Sequence, residues 1–217
     1  MPSPCGVNVH VLPSGPIQTN AYLLCDPSRA EAVLIDAPLG VWALAEPILK
    51  AERCKLGMLW LTHGHWDHTQ GAAEVVRKSG ARVLGHVADK RLYEEPGLMK
   101  PLMFPGTVVE PVRVDRWLED GDLLEAFGEP VTVRHVPGHC PGSLMFHFAG
   151  AGAAFAGDAL FRGSVGRTDI PGGDFGQLEA SIRTRIYTLP DETVVYPGHG
   201  GRTTVGGEKA GNPYVRP

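Results

Sequence analysis

The chain has 217 residues, 43% hydrophobic and 20% charged, with a net charge of −4. That length buries a full core, most simply as a single domain over residues 1–217, and the composition excludes disordered and fibrous chains. A mildly acidic chain has no global field to draw in nucleic acid or an anionic membrane, so neither is an expected partner.

Met1-Pro2-Ser3-Pro4-Cys5 has neither the basic segment nor the apolar stretch of a secretory signal, and no apolar run has the length of a transmembrane helix. The cysteines, Cys5, Cys25, Cys54 and Cys140, share no CxxC spacing, which suits reduced thiols in a cytoplasmic protein.

In chain order, strands are predicted at residues 7–12 and 21–25, parted by the turn Pro13-Ser14-Gly15-Pro16, and at 32–35, ending at Asp36. A helix follows over 42–53, and an apolar strand at 56–61 delivers the chain to Thr62 and His63. Residues 72–78 form a helix stopped by Ser79-Gly80, and 82–85 return as a strand. A Pro-rich loop over 93–111 carries Met99, Met103 and Phe104. Strands are then expected at 112–117, 123–127, 131–136, 143–148 and 153–156. A helix at 175–189 and a strand at 193–196 lead into Pro197-Gly198-His199-Gly200. Early βα units followed by closely spaced strands predict an α/β protein of two packed sheets with helices outside.

Of nine histidines, five stand in conspicuous settings. His63, His65 and His68 fall within six residues, His139 sits in Pro137-Gly138-His139-Cys140-Pro141-Gly142, and His199 in Gly198-His199-Gly200. Each follows a strand-like run, so all can gather at one sheet edge. In extended chain, side chains at i and i+2 point the same way, which lets His63 and His65 hold one ion. A helix starting near Asp67 turns Asp67 and His68 toward a second. Asp158, in a post-strand turn, is the carboxylate suited to bridging. One such histidine alone is usually a hydrogen-bonded structural residue; this concentration of ligands is not. Imidazole and carboxylate suit Zn²⁺ and also Fe or Mn, so ligand type leaves the metal open.

The run Thr62-His63-Gly64-His65-Trp66-Asp67-His68 resembles the HxHxDH signature of the metallo-β-lactamase superfamily, with His139, Asp158 and His199 at its remaining ligand positions and Asp36 at its first motif. The resemblance implies an αββα sandwich with two mixed sheets flanked by helices. It implies two divalent ions per chain, zinc foremost: one held by His63, His65 and His139, the other by Asp67, His68 and His199, with Asp158 bridging.

Gly157-Asp158-Ala159-Leu160-Phe161, Gly166-Arg167-Thr168-Asp169, Tyr196-Pro197-Gly198-His199-Gly200 and the tail through Asn212-Pro213 resemble glyoxalase II, the hydroxyacylglutathione hydrolases, in a short single-domain form. The full-length enzymes use a basic residue at the Arg167 position for glutathione and a tyrosine two residues later; here that second position is Asp169. Their C-terminal helical glutathione domain is expected to be absent. What is implied is hydrolysis of S-D-lactoylglutathione or a related hydroxyacyl thioester by a water that the ions activate. Asp67 and Asp158 serve there as ligands, with proton handling secondary. Arg167 is the candidate for an anionic substrate group, against the plain alternative of a surface ion pair with Asp169 or Asp174.

Persulfide dioxygenases share this pattern but use a single iron on the equivalents of His63, His139 and Asp158. Gly200, where that family carries Asp, favours the hydrolase. Secreted zinc β-lactamases place Cys at the Asp158 position, nucleases need basic surface, and acyl-homoserine lactonases lack the Gly166–Asp169 segment. A noncatalytic metal-bound scaffold is the reading from another class. Cys140 reads as a small turn residue, Trp66 as packing or pocket wall, and Arg162 as a surface residue. His10, His86, His135 and His147 have no ligand context. Oligomeric state is not encoded in any visible motif.

Overall fold

A computed structural model describes residues 6–217; the expectation for Met1–Cys5 lies outside them. The chain divides into two compact units, one reaching Trp117 and the other Leu118–Pro217. Each is built on a mixed six-stranded sheet.

In the first unit, β1 (Asn8–Ser14), β2 (Thr19–Asp26) and β3 (Glu31–Ile35) run antiparallel. Every residue of β2 is buried, as a central strand requires. α1 (Val41–Glu52) crosses over to β4 (Lys55–Trp60), parallel to β3. Its buried Val41, Ala45 and Leu49 recur at helical spacing and join the core of Leu23, Leu34 and Leu59. The short α2 (Trp66–Thr69) and α3 (Ala72–Ser79) form the next crossover, to β5 (Arg82–His86), again parallel. Gly80 ends α3 in the left-handed conformation, φ 70°, its N–H on the Val76 carbonyl.

The segment expected to be a loop is partly helical, with α4 (Lys90–Glu94) and a 3₁₀ stretch at Pro96–Leu102. Pro96 begins that stretch where its missing N–H costs nothing. The strand expected at 112–117 shrinks to β6 (Arg116–Leu118). Upstream, Val112 spends its N–H on the Tyr93 carbonyl rather than on a ladder.

The second unit's sheet holds β7 (Leu123–Ala126), β8 (Glu129–His135), β9 (Leu144–Phe148) and β10 (Ala153–Gly157) as an antiparallel meander. A small hairpin, β11 (Leu160–Phe161) with β12 (Ser164–Val165), follows. α5 (Phe175–Ser181) begins at Asp174, whose side chain accepts the Gln177 N–H, and continues into a π-helical turn at Ile182–Ile186. In place of the single helix that the sequence predicts over 175–189, a π turn widens the helix end, with Tyr187 N–H reaching the Ile182 carbonyl. β13 (Val194–Pro197) pairs parallel to β10, and β14 (Thr203–Thr204) pairs with β13. α6 (Val205–Gly211) closes the chain, capped by Thr204 accepting the Gly207 N–H. No helix among the described residues is long and apolar enough to cross a membrane.

Candidate metal centre

In the first unit, three parallel strands end at one edge, the usual place for a site in such a sheet. Asp36 follows β3, His63–His68 follow β4, and Asp89 follows β5. Pairing of Ile35 with Trp60 brings Asp36 beside Thr62. The Asp36 carboxylate accepts the Thr62 N–H at Oδ1 and the Thr62 hydroxyl at Oδ2, both at 2.8 Å. It also lies 2.7 Å from His68 Nδ1. An ionised carboxylate only accepts, so His68 carries its proton on Nδ1 and presents the Nε2 lone pair to a ligand.

His63 is oriented in a similar way. Thr62 gives its hydroxyl hydrogen to Asp36, so its oxygen, 3.0 Å from His63 Nδ1, accepts. His63 thereby also presents Nε2. Its ring centroid lies 4.6 Å from that of His65 and 4.1 Å from that of His68. Asp67 is held by the Thr19 hydroxyl, 2.7 Å from Oδ2, and that oxygen is 3.3 Å from His68 Nε2. Asp89 accepts the Gly64 N–H at 2.8 Å, fixing the loop between the first two histidines. His63, His65, Asp67 and His68 are all buried.

In the second unit, β8, β10 and β13 likewise finish on one edge and are followed by His139, Asp158 and His199. The parallel β10–β13 pair extends through the Gly198 N–H to the Gly157 carbonyl at 2.8 Å, bringing Asp158 and His199 side by side. His139 Nδ1 donates to the Arg167 carbonyl at 2.8 Å, which leaves Nε2 for a ligand. His139 Nε2 and His199 Nε2 are each 3.5 Å from Asp158 Oδ2. Donor atoms sharing one tetrahedral ion stand about 3.4 Å apart, so the spacing already suits coordination through that oxygen. Gly166 presses on this group: a Cβ there would lie 1.9 Å from the Asp158 carbonyl oxygen and 3.0 Å from the His139 ring.

The donor sets therefore suit divalent metal. The imidazoles of His63, His68 and His139 spend Nδ1 on an outer partner, the usual way a ligating histidine is oriented. Each unit adds carboxylate to imidazole, and no thiolate is included. Cys140 is fully buried with its N–H on Ser143 Oγ.

Arg167 makes a two-pronged pair with Asp169, both contacts at 2.9 Å. Their side chains are 61% and 75% exposed, so the pair adds little stability. Each partner nevertheless holds the other charged: a side-chain hydrogen bond raises the arginine and lowers the aspartate from their ordinary values. Trp66 stacks edge-on against Phe104, with centroids 6.0 Å apart. Among the remaining histidines, His86 Nδ1 accepts the Ala88 N–H, His135 Nε2 meets the Pro141 carbonyl at 2.8 Å, and His10 Nε2 meets Glu52 at 2.6 Å. Thr19, Thr62 and Asp89 orient the loop of candidate ligands, and nothing in the sequence marks Thr19 or Asp89 as positioning groups. Only Thr62, adjoining the motif, had a visible signal.

The model of the metallo-β-lactamase superfamily matches residues 14–199. The chain is 34% identical over 212 residues to hydroxyacylglutathione hydrolase GloC of Haemophilus influenzae, covering 96% of this chain and 98% of that protein. Among solved structures it is similar to the BLEG-1 B3 metallo-β-lactamase (TM-score 0.89, 35% identity, 96% of this chain and 99% of that one). A second likeness is to TTHA1623 in a di-iron-bound form (TM-score 0.83, 38% identity, 95% and 100%). A third is to ETHE1 from Myxococcus xanthus (TM-score 0.79, 28% identity, 96% and 84%). With its ligand-bearing strand ends and a family match across most of its length, the chain belongs to the metallo-β-lactamase superfamily.

Proposed function

We propose that the two ligand sets serve one dinuclear centre and that the protein is a glyoxalase II-like thioester hydrolase acting on S-D-lactoylglutathione or a related hydroxyacyl thioester. In this reading His63, His65 and His139 hold one ion, Asp67, His68 and His199 the other, and Asp158 bridges. The observation that carries it is Asp158 Oδ2, 3.5 Å from both His139 Nε2 and His199 Nε2. One carboxylate oxygen standing between two imidazoles is what a bridging ligand requires. The likeness to GloC supports the substrate class, and the di-iron form of TTHA1623 supports two ions without selecting zinc, iron or manganese here.

When bound, divalent ions supply a water acidified toward neutral pH and a Lewis acid for the substrate carbonyl. The chain's own task is to hold that centre rigidly. Asp36 and Thr62 fix the tautomers of His68 and His63, Thr19 orients Asp67, and the Arg167 carbonyl orients His139. A thiolate leaves readily, so no strong general acid is needed. The Arg167 guanidinium is the group offered to a substrate carboxylate, which must compete with Asp169 for it. Among the described residues Cys25, Cys54 and Cys140 form no disulfide, which accords with a cytoplasmic setting, and the expected partner is a small molecule, not a nucleic acid.

A second reading, a persulfide dioxygenase with one iron, draws on the likeness to ETHE1. It would use His63, His139 and Asp158 alone. Against it, Asp67 and His68 each carry a dedicated buried partner, Thr19 and Asp36, which a one-metal site does not require.

The test is metal analysis of purified protein with three assays in parallel. These are oxygen-free loss of S-D-lactoylglutathione, oxygen uptake with glutathione persulfide, and hydrolysis of a chromogenic β-lactam, included for the likeness to BLEG-1. The proposal expects the first to dominate; persulfide-dependent oxygen uptake with one iron per chain and no thioester hydrolysis overturns it.

A further inference from the structure

At the opposite edge of the first unit's sheet from the ligand loop lies a second group of metal-ligating side chains. His10 is on β1, Cys25 near the end of β2, and Glu52 is the last residue of α1. In the β1–β2 ladder Asn8 pairs with Cys25 and His10 with Leu23. His10 and Cys25 are therefore diagonal neighbours on one face of the sheet, within mutual reach. Cys25 is opposite Ala32, at the start of β3, whereas Asp36 follows the end of that strand. The two groups are separated by most of a strand's length, about 13 Å at ~3.3 Å per residue.

One donor atom from each of His10, Cys25 and Glu52 lies within 4.8 Å of the other two. His10 Nε2 and Glu52 Oε1 are already 2.6 Å apart. The second carboxylate oxygen, Glu52 Oε2, is buried and has no hydrogen-bond partner among the described residues. A buried carboxylate oxygen met by no N–H or O–H donor is costly to keep, and a cation would answer it. The Cys25 side chain is fully buried, and its thiol is pushed well above the ordinary range, first by burial and then by the adjoining Glu52 carboxylate and Cys54 thiol. Burial by itself keeps a thiol inert; a coordinated metal reverses that preference and takes the thiolate.

We propose that His10, Cys25 and Glu52 form a metal site separate from the hydrolytic centre, taking a borderline-soft divalent cation of the zinc class. One nitrogen, one sulfur and one carboxylate oxygen suit zinc and disfavour magnesium and calcium, which want oxygen alone. Closing on one tetrahedral ion needs donors about 3.4–3.7 Å apart, so movements on the order of 1 Å suffice. The His10 side chain, 30% exposed, gives an entry path. On binding, the Cys25 S–H bond breaks, its proton passes to solvent, and the sulfur lone pair forms the metal bond; no electron transfer is involved. The ion ties β1 and β2 to the end of α1, which makes the site structural.

Cobalt(II) added to the metal-loaded enzyme is the probe, because the hydrolytic ligand set has no sulfur and cannot give a thiolate-to-cobalt charge-transfer band. The wild type and Cys140→Ser should show that band and release about one proton per additional ion. Cys25→Ser should lose the band, and His10→Ala should weaken cobalt binding at least tenfold while thioester turnover stays unchanged. Because Cys25 is buried, His10→Ala, at a half-buried position, keeps the test valid if the cysteine variant misfolds. Absence of the band at saturating cobalt, or a band unaltered by His10→Ala, overturns the site.

Discussion

His68 Nδ1 and Asp36 Oδ2 meet at 2.7 Å in a buried contact, and Asp36 holds that position with φ 60°, a left-handed conformation uncommon for a residue with a side chain. Its two oxygens meet three donors: the Thr62 N–H, the Thr62 hydroxyl and the His68 ring. In Asp36→Asn one end of the carboxamide becomes a donor facing a donor, with little change of shape. On the proposed ligand assignment, the expected result is loss of the ion assigned to Asp67, His68 and His199, with affinity lowered roughly 10–100-fold and secondary structure intact. Chelator competition followed by metal analysis reads this directly.

Gly166→Ala sets a new Cβ against the Asp158 carbonyl and the His139 ring. Backbone cannot yield there without moving Asp158 or His139. Destabilisation should reach about 3 kcal/mol or more, at the upper end for one substitution, accompanied by loss of bound metal. Denaturant midpoints compared with the wild type measure it.

Much of the candidate site is legible in sequence because its candidate ligands are dense and each follows an apolar run: β4 before His63, β8 before His139, β10 before Asp158, β13 before His199. The residues that aim those ligands are not legible. Thr19 is 48 positions from Asp67, and Asp89 is 25 from Gly64; isolated polar residues brought near by strand pairing carry no local pattern. α6 has no helical signature in the sequence, for a physical reason. Val205-Gly206-Gly207-Glu208-Lys209-Ala210-Gly211 has poor helix propensity. Tertiary contacts hold it: Glu208 accepts from the Thr203 hydroxyl, the Asn212 amide and the Gly163 N–H.

Arg167→Gln removes the guanidinium but leaves the backbone carbonyl that orients His139. If the side chain meets the substrate's anionic end, KM for S-D-lactoylglutathione rises on the order of tenfold with kcat little changed, the signature of lost uniform binding. Steady-state kinetics separate the two.

His147, buried in β9, is held below the ordinary histidine range by desolvation first and then by the nearby Arg134 charge. Below about pH 6.5 the unfolded chain takes up a proton there that the folded chain refuses, so this residue's contribution weakens stability as pH falls. His147→Gln should therefore lose less stability than the wild type between about pH 7 and pH 5.5. Urea midpoints across that range, in one metal-saturated buffer, give the comparison.

The proposed dinuclear hydrolysis is tested most directly by oxygen-free release of glutathione from S-D-lactoylglutathione, comparing wild type with Asp67→Ala at saturating metal. Turnover without oxygen in the wild type, reduced on the order of 100-fold or more in the variant, is the predicted result. Turnover that needs oxygen, or an Asp67→Ala protein as active as the wild type, contradicts it.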